Sequence, residues 1–225
     1  MRMNHGSGPH ASTNNPSGPH ASANTPEGTN PEGPHAPSLL PYGPVHVQGV
    51  LTHEECDRLI ARATGSMSRS LGVSGIASKA RTSEQAWIGP GDEEVGAIVR
   101  KIRTRAAQMT GVFNEDLFER LQVARYMPGQ EYRPHHDACL EQCDRMGLKR
   151  VRRLATFLVY LTDEFEGGGT LFPATGARVR PVRGNAVLFY NTFHTGAVIP
   201  DSLHAGEPVL SGVKWIANCW VWFDG

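Results

Sequence analysis

The stretch RLQVARYMPGQEYRPHHD, residues 120–137, decides the fold class of this chain. Apolar and polar side chains alternate on both sides of Pro128-Gly129, which is the pattern of two strands joined by a turn. The pattern recurs, and strands are predicted over 120–127, 131–137, 152–162, 169–172, 177–182, 185–191 and 208–223. Further turn signals lie at Gly167-Gly168-Gly169, Arg183-Gly184 and Ser211-Gly212. Many short strands without intervening helices predict an antiparallel barrel or a double-sheet jelly roll.

Two helices are predicted before this strand region. Thr52 and Glu55 have the spacing of a capping box ahead of a short helix with apolar positions at Cys56, Leu59, Ile60 and Ala63. Asp92 can cap a second helix, which Gly111 would end, and its apolar positions are Val95, Ile98, Val99, Ile102, Ala106 and Met109. Residues 65–83, rich in Gly and Ser, predict a mobile loop. We therefore expect an α+β domain that is mainly β, with its helices packed on the outside of one sheet.

Residues 1–44 differ in composition from the rest of the chain. They contain nine of the sixteen prolines and the repeated fragment GPHAS at Gly8 and Gly18, with few apolar side chains before Leu39. Such a segment cannot bury enough apolar surface to repay the entropy of ordering, so we predict a disordered tail. The folded domain is then predicted over residues 45–225.

Charge and cysteine content exclude several function classes. Lys plus Arg and Asp plus Glu both number 22, so no basic field for nucleic acid or a membrane surface is expected. The first residues lack the apolar stretch of a secretory signal, which favours the cytosol or nucleus and reduced thiols. Cys139 and Cys143 are expected to be plain thiols, although a local bridge or a zinc site stays open. We expect a monomer.

The segment Tyr132-Arg133-Pro134-His135-His136-Asp137 carries the candidate chemistry. Strand side chains alternate, so His135 and Asp137 project together and His136 projects away. One imidazole and one carboxylate on one face supply two ligands of a 2-His-1-carboxylate iron site, which leaves positions open for a cosubstrate and oxygen. The third ligand is His204 or His194. His204 lies ten residues before Lys214, a spacing that can bring an imidazole and an ammonium into one cavity.

Four blocks of the sequence resemble the prolyl 4-hydroxylase family, especially its single-domain algal, plant and viral members. They are LQVARYMPGQEYRPHHD (121–137), RRLATFLVYLTDEFEGGGTLFP (152–173), GNAVLFY (184–190) and SLHAGEPVLSGVKW (202–215). The resemblance implies a double-stranded β-helix, with Fe(II) bound by His135, Asp137 and His204. It also implies 2-oxoglutarate bound by Lys214, with Tyr126 and Tyr160 close to it.

The same resemblance implies a proline-rich peptide substrate, O2 as oxidant and ascorbate as the reductant that rescues oxidised iron. The positions that match substrate-binding residues of the family are Tyr132, Arg153, Trp220, Trp222 and Arg81. Relatives often carry histidine where this chain has Trp222, which leaves the peptide preference open. A related oxygenase acting on another amino acid, and an inactive peptide-binding module, are the alternatives. The family also makes the lumen of the endoplasmic reticulum a possible compartment.

Overall fold

The computed structural model describes residues 43–70, 80–138 and 151–224. The helices are α1 (His53–Thr64) and α2 (Gly96–Thr110), and the strands are β1 (Val45–Val47), β2 (Ser68–Arg69), β3 (Glu84–Ile88), β4 (Leu121–Tyr126), β5 (Tyr132–His135), β6 (Val151–Tyr160), β7 (Phe165–Gly167), β8 (Thr170–Phe172), β9 (Ala177–Val179), β10 (Ala186–Tyr190), β11 (His204–Gly206), β12 (Val209–Gly212) and β13 (Lys214–Asp224). Short 3₁₀ helices cover Glu115–Leu117 and Pro200–Ser202. Within this part of the chain, no helix is long and apolar enough to cross a membrane.

The strands form three antiparallel sheets. A seven-stranded sheet has the order β1-β10-β6-β13-β4-β3-β2, a four-stranded sheet has the order β5-β11-β8-β9, and β12 pairs with β7. This arrangement confirms the predicted mainly-β jelly roll. The long strand β13 lies centrally in the larger sheet, between β6 and β4. Its position matters for function because β13 begins at Lys214 and also carries Trp220.

Side chains of β13 alternate between two apolar layers. Trp215, Ala217, Cys219 and Val221 pack with α1 and α2 on one face of the large sheet, whereas Ile216 packs with a second cluster on the other face. The second cluster includes Tyr126, Tyr160 and Phe172, and Phe172 belongs to the smaller sheet. The helices therefore cover the outer face of the large sheet, as predicted. The inner face is left to the residues of the candidate site.

Both predicted helices are confirmed, but the predicted cap at Asp92 is wrong, because α2 begins after Val95 without a side-chain cap. The Thr52 side chain accepts from Glu55 N at 3.1 Å, and Glu55 accepts from Thr52 N at 2.8 Å. The Asp92 carboxylate accepts from the backbone of Glu94 and Val95, one turn before the helix itself begins. Gly111 ends α2 with φ of +75°, a conformation that favours glycine.

The strand predictions differ from the structure at short elements. The predicted strand over 208–223 is two strands, β12 and β13, divided after Gly212. The short strands β1, β2, β3, β7 and β11 were not predicted, because two to five residues show little periodicity. The loop predicted over 65–83 is wrong at Ser68–Arg69, which form β2 against β3. The remainder of that loop over 71–79 lies outside the described residues.

Two further expectations concern undescribed residues. The disorder predicted for residues 1–44 falls on a segment of which only Gly43 and Pro44 are described, so it stays a prediction. Cys139 and Cys143 also lie outside the described ranges. The two described cysteines, Cys56 and Cys219, are buried free thiols.

Candidate active site

Three potential metal ligands converge where β5 pairs with β11. His135 ends β5 and is the register partner of His204, the first residue of β11. Ligand atoms of His135, Asp137 and His204 all lie within 4.8 Å of one another, the single such group among the residues that the structure describes. Asp137 Oδ1 is 3.5 Å from His135 Nε2, and Oδ2 is 3.7 Å from His204 Nε2. Strand pairing thus brings together two histidines that are far apart in sequence.

Backbone carbonyls set the orientation of both imidazoles. His135 Nδ1 lies 2.8 Å from Arg133 O, and His204 Nδ1 lies 2.9 Å from Ser202 O. A carbonyl can only accept, so each Nδ1 donates its proton, and each Nε2, which faces Asp137, is the ring nitrogen available to a metal. Tyr132 packs flat on His135, with ring centroids 3.4 Å apart and an angle of 18° between the planes. Both rings are therefore held in the orientation that binds a metal through Nε2.

The carboxylate of Asp137 is held through one of its two oxygens. Thr156 Oγ1 donates to Oδ2 at 2.8 Å, and Trp220 Nε1 donates to the same oxygen at 2.9 Å. Oδ1 is the oxygen that these two donors leave for a cation. Two imidazoles oriented through Nδ1 and one carboxylate held through Oδ2 fit the facial triad of a non-haem Fe(II) oxygenase.

Burial and neighbouring charges shift the pKa values of His204 and Asp137 toward the protonation states that bind a metal. Burial lowers the pKa of His204 to about 4, so this imidazole is neutral near pH 7. Burial alone would raise the pKa of Asp137, but His204, His135 and Arg153 outweigh that effect and hold it well below its usual value. A cation would therefore displace no proton from either group at neutral pH.

Lys214, the first residue of β13, supplies a buried positive charge close to the strand that carries His204. Its side chain is 2% exposed, and burial lowers its pKa to about 8. Nζ lies 3.8 Å from where a β-carbon on Gly206 would stand, and Gly206 follows His204 by two residues on β11. Among the described residues, no carboxylate forms an ion pair with Lys214 within 4.0 Å. Within the described part of the chain this ammonium thus has no ion-pair partner, although Glu207 acts on it through a longer-range charge interaction. Such a buried ammonium fits the carboxylate of an anionic ligand.

Aromatic side chains and glycine form the walls around Lys214. Nζ lies 5.4 Å from the ring centroid of Tyr126, the register partner of Lys214 on β4. The Tyr160 hydroxyl is 2.8 Å from Thr170 Oγ1, and burial raises the pKa of this phenol. Gly168 has φ of +61°, and a β-carbon there would meet Phe165 at 2.7 Å and the Lys214 stem at 3.2 Å. Gly168, within the predicted triple-glycine turn, thus leaves room for the Phe165 ring and the Lys214 stem.

Comparison with known proteins identifies the family. The family model described as the 2OG-Fe(II) oxygenase superfamily matches residues 121–222. A putative prolyl 4-hydroxylase of Acanthamoeba polyphaga mimivirus is 36% identical over 185 residues, covering 80% of this chain and 74% of the viral protein. The chain belongs to the prolyl 4-hydroxylase family of 2OG-Fe(II) oxygenases. The resemblance inferred from the four sequence blocks is confirmed.

Other members of the prolyl 4-hydroxylase family differ in how much of their length this chain matches. A viral collagen prolyl hydroxylase from Paramecium bursaria Chlorella virus-1, solved as a 2OG complex, has a TM-score of 0.64 and 34% identity. The match covers 80% of this chain and 96% of that structure. The chicken prolyl 4-hydroxylase subunit alpha-2 is 36% identical over 182 residues, which are 78% of this chain but 33% of the subunit. The chain thus spans about a third of that animal relative.

The positions predicted to bind substrate lie around the triad in different degrees of exposure. Tyr132, Trp222 and Arg153 are half-buried. Arg153 pairs with Glu119 through two contacts of 2.5 and 2.9 Å and lies 5.9 Å from the Trp222 ring centroid. Arg81 is 5% exposed and stacks on Tyr132 at 4.9 Å. Its direct role toward a peptide stays a prediction, whereas its role as a support for Tyr132 is visible.

The structure revises the predicted role of Trp220 and distinguishes the two candidates for the third metal ligand. Trp220 does not line an open groove, because its side chain is 4% exposed and its ring nitrogen bonds to Asp137. Strand alternation places Trp220 on the same side of β13 as Ile216, but alternation alone does not show whether a ring is covered. The competing third ligand, His194, is exposed and lies outside the triad group, so the geometry favours His204.

Sequence reasoning missed several residues of the site. Thr156 could not be identified, because a threonine in a strand carries no sequence signal for the carboxylate that it contacts. Trp87 lies on the unpredicted strand β3, is 36% exposed, and has its ring centroid 5.9 Å from that of Trp220. The sequence of this strand, Glu84-Gln85-Ala86-Trp87-Ile88, is too short and too mixed in polarity to mark a strand or a site. Glu119, the partner of Arg153, ends the stretch before β4 and carries no motif of its own.

Proposed function

We propose that this chain hydroxylates C4 of proline residues within proline-rich polypeptides, with 2-oxoglutarate as cosubstrate and succinate and CO2 as co-products. The observation that carries the proposal is the triad His135, Asp137 and His204 together with the buried ammonium of Lys214. Bound at such a triad, Fe(II) supplies O2 activation coupled to oxidative decarboxylation of the keto acid. We include ascorbate as the reductant that keeps the metal in the ferrous state.

The chain's own residues have separable tasks in this scheme. His135, Asp137 and His204 would hold the metal, which would bind the keto-carboxylate end of 2-oxoglutarate and oxygen through the positions that these ligands leave open. Lys214 meets the distal carboxylate, and burial strengthens that contact because water is excluded. Tyr126 and Tyr160 close the pocket with apolar ring surface. The cosubstrate is thereby oriented before the peptide arrives.

The aromatic face beside the triad suits a proline-rich strand. Tyr132 is stacked on His135, and Trp87 packs against Trp220, the hydrogen-bond partner of Asp137. Trp87 is exposed, whereas Tyr132 and Trp222 are half-buried. Polyproline II segments have lost much of their freedom before binding and present rings at regular intervals, so aromatic grooves bind them at low entropic cost. The Glu119–Arg153 pair at this face offers both an acceptor and donors for peptide amides and carbonyls.

Succinate release measured with three additions tests the proposal. Full-length protein is incubated with Fe(II), 2-oxoglutarate and ascorbate, together with a proline-rich peptide, free proline or neither. We expect the peptide to stimulate succinate release strongly and to gain oxygen on proline, and free proline to be inert. Equal stimulation by free proline, or succinate without oxidised peptide, would leave only the broader oxygenase assignment.

Substitution of Trp87 separates peptide recognition from cosubstrate binding. Trp87→Ala should raise the KM for peptide by about tenfold, since an aromatic contact is worth roughly 0.5–1.5 kcal/mol beyond the buried area. The KM for 2-oxoglutarate should not change, because Lys214 and its pocket are untouched. Phe113→Ala is the matched control, as Phe113 is 72% exposed on the segment after α2. A change in both KM values for Trp87→Ala would contradict the aromatic-face assignment.

A further inference from the structure

Asn191 is a fully buried amide directly after β10 that contacts no ligand of the triad. Its backbone N donates to Leu154 O at 2.8 Å, and its backbone O accepts from Ile199 N at 2.9 Å. Its side-chain Nδ2 donates to Thr156 Oγ1 at 2.9 Å. Thr156 in turn donates to Asp137 Oδ2 at 2.8 Å. The amide is thus the outer member of a chain of hydrogen bonds that ends on the iron-binding carboxylate.

The direction of these hydrogen bonds is fixed by the carboxylate. Ionised Asp137 can only accept, so the single hydroxyl proton of Thr156 must lie toward Oδ2. The neighbouring Asn191 atom must then be the nitrogen, because an amide oxygen there would face a lone pair of Thr156. By occupying that lone pair with an N–H, Asn191 prevents the hydroxyl from rotating its proton away from Asp137.

Asn191 performs this task at a cost to folding. Within the described part of the chain, its Oδ1 is a buried acceptor without a hydrogen-bond partner. An unsatisfied buried polar atom destabilises a fold, and an apolar side chain of similar size avoids that loss. Stability alone therefore does not favour an amide at this position, whereas a need for a directed donor does.

We propose that Asn191 is a positioning residue for the metal site, acting through Thr156 to hold Asp137 by Oδ2 and keep Oδ1 free for the cation. This inference rests on the proposed iron chemistry but not on the identity of the substrate. Trp220 on β13 donates to the same oxygen, so the carboxylate accepts hydrogen bonds from two strands, β6 and β13. Loss of the Asn191–Thr156 arm leaves the carboxylate with one donor and freedom to rotate.

Anaerobic calorimetric titration of the full-length protein with Fe(II), and with Co(II) as a stable substitute, tests the proposal. Thr156→Val removes the hydroxyl with little change of shape, and Asn191→Leu removes the donor. Each should weaken metal binding by roughly 10- to 100-fold, the usual effect of removing a residue that orients a metal ligand. Thr156→Ser keeps the hydroxyl and should bind nearly as the unaltered protein does. Thr192→Val is the matched control, because Thr192 is equally buried but bonds to Arg153 O.

The double variant Asn191→Leu/Thr156→Val gives the sharpest outcome. If Asn191 acts only through Thr156, the double variant binds metal no more weakly than Thr156→Val alone. A double variant that binds metal more weakly than Thr156→Val would overturn the proposal. Unchanged metal affinity in Asn191→Leu would overturn it as well. If Asn191→Leu fails to fold in thermal melts of the metal-free protein, Asn191→Ala is used with the same expectations. Because these titrations contain no substrate, they remain decisive even if peptidyl proline proves not to be the substrate.

Discussion

Replacement of Lys214 by methionine should weaken 2-oxoglutarate binding while making the cosubstrate-free protein more stable. The lysine is 2% exposed, and burial lowers its pKa from 10.5 to about 8, although Glu207 opposes the shift. The difference, 10.5 − 8, is about 2.5 pH units, and at roughly 1.4 kcal/mol per unit the buried charge costs about 3 kcal/mol. The stem of methionine fits a similar path past Gly168 without carrying a charge.

The sign of the stability change follows from proton linkage. The folded-state pKa of Lys214 lies below the unfolded-state value, so the unfolded chain binds the proton more tightly. The charged lysine therefore destabilises the folded protein below pH 8, and this destabilisation fades as the pH rises from about 8 toward 10.5. Methionine removes it at pH 7, with about 3 kcal/mol as the upper limit. At roughly 2–4 °C per kcal/mol for a domain of this size, Tm should rise by several degrees.

Thermal melts without cosubstrate, combined with succinate kinetics, test both halves of this prediction. The KM for 2-oxoglutarate should rise by about 10- to 100-fold, because a charge-assisted contact of roughly 1.5–3 kcal/mol is lost. Lys101→Met is the control, since Lys101 is exposed and paired with Glu55 at 2.7 Å, and it should change neither quantity in this direction. A lower Tm with an unchanged KM in Lys214→Met would refute the assignment of Lys214.

Three further predictions follow from the site and the tail. His135→Ala and His204→Ala should each abolish succinate release, whereas His194→Ala should keep most of it; the reverse pattern for the last two would reassign the third ligand. The KM for 2-oxoglutarate should rise above pH 8 as the buried ammonium deprotonates, and Lys214→Arg should have a higher KM that no longer rises there. Deletion of residues 1–38 should leave Tm and activity on a separate peptide intact, and a large fall in Tm would show that the tail docks.

The fold and the first two triad ligands could be predicted because their signals are local. Two-residue alternation around Pro128-Gly129 gave β4 and β5, and it placed His135 and Asp137 on one face. The choice of His204 over His194 needed family resemblance, because β11 is three residues long and carries no periodicity. Its pairing with β5, which brings His204 opposite His135, is a long-range contact that no local pattern encodes.

The supporting residues of the site were beyond sequence reasoning for a different reason. Trp220 and Trp222 are two residues apart on β13, a spacing that would put both side chains on one face of a regular strand. A bulge lies between Val221 and Trp222, however. Trp220 is consequently covered and bonded to Asp137, whereas Trp222 stays half-buried. Whether a strand side chain is exposed depends on which neighbours cover it. The roles of Thr156 and Asn191 likewise depend on the partner strand, and no composition or spacing rule identifies them.

The most direct test of peptidyl-proline hydroxylation at this iron site is the fate of isotopically heavy O2. The full-length protein, Fe(II), 2-oxoglutarate, ascorbate and a proline-rich peptide are incubated under heavy oxygen, and peptide and succinate are analysed by mass spectrometry. We expect one heavy oxygen atom on a proline ring of the peptide and one in succinate, in equal amounts. Both labelled products should be lost in Asp137→Ala. Heavy oxygen in succinate with an unlabelled, unmodified peptide would contradict it.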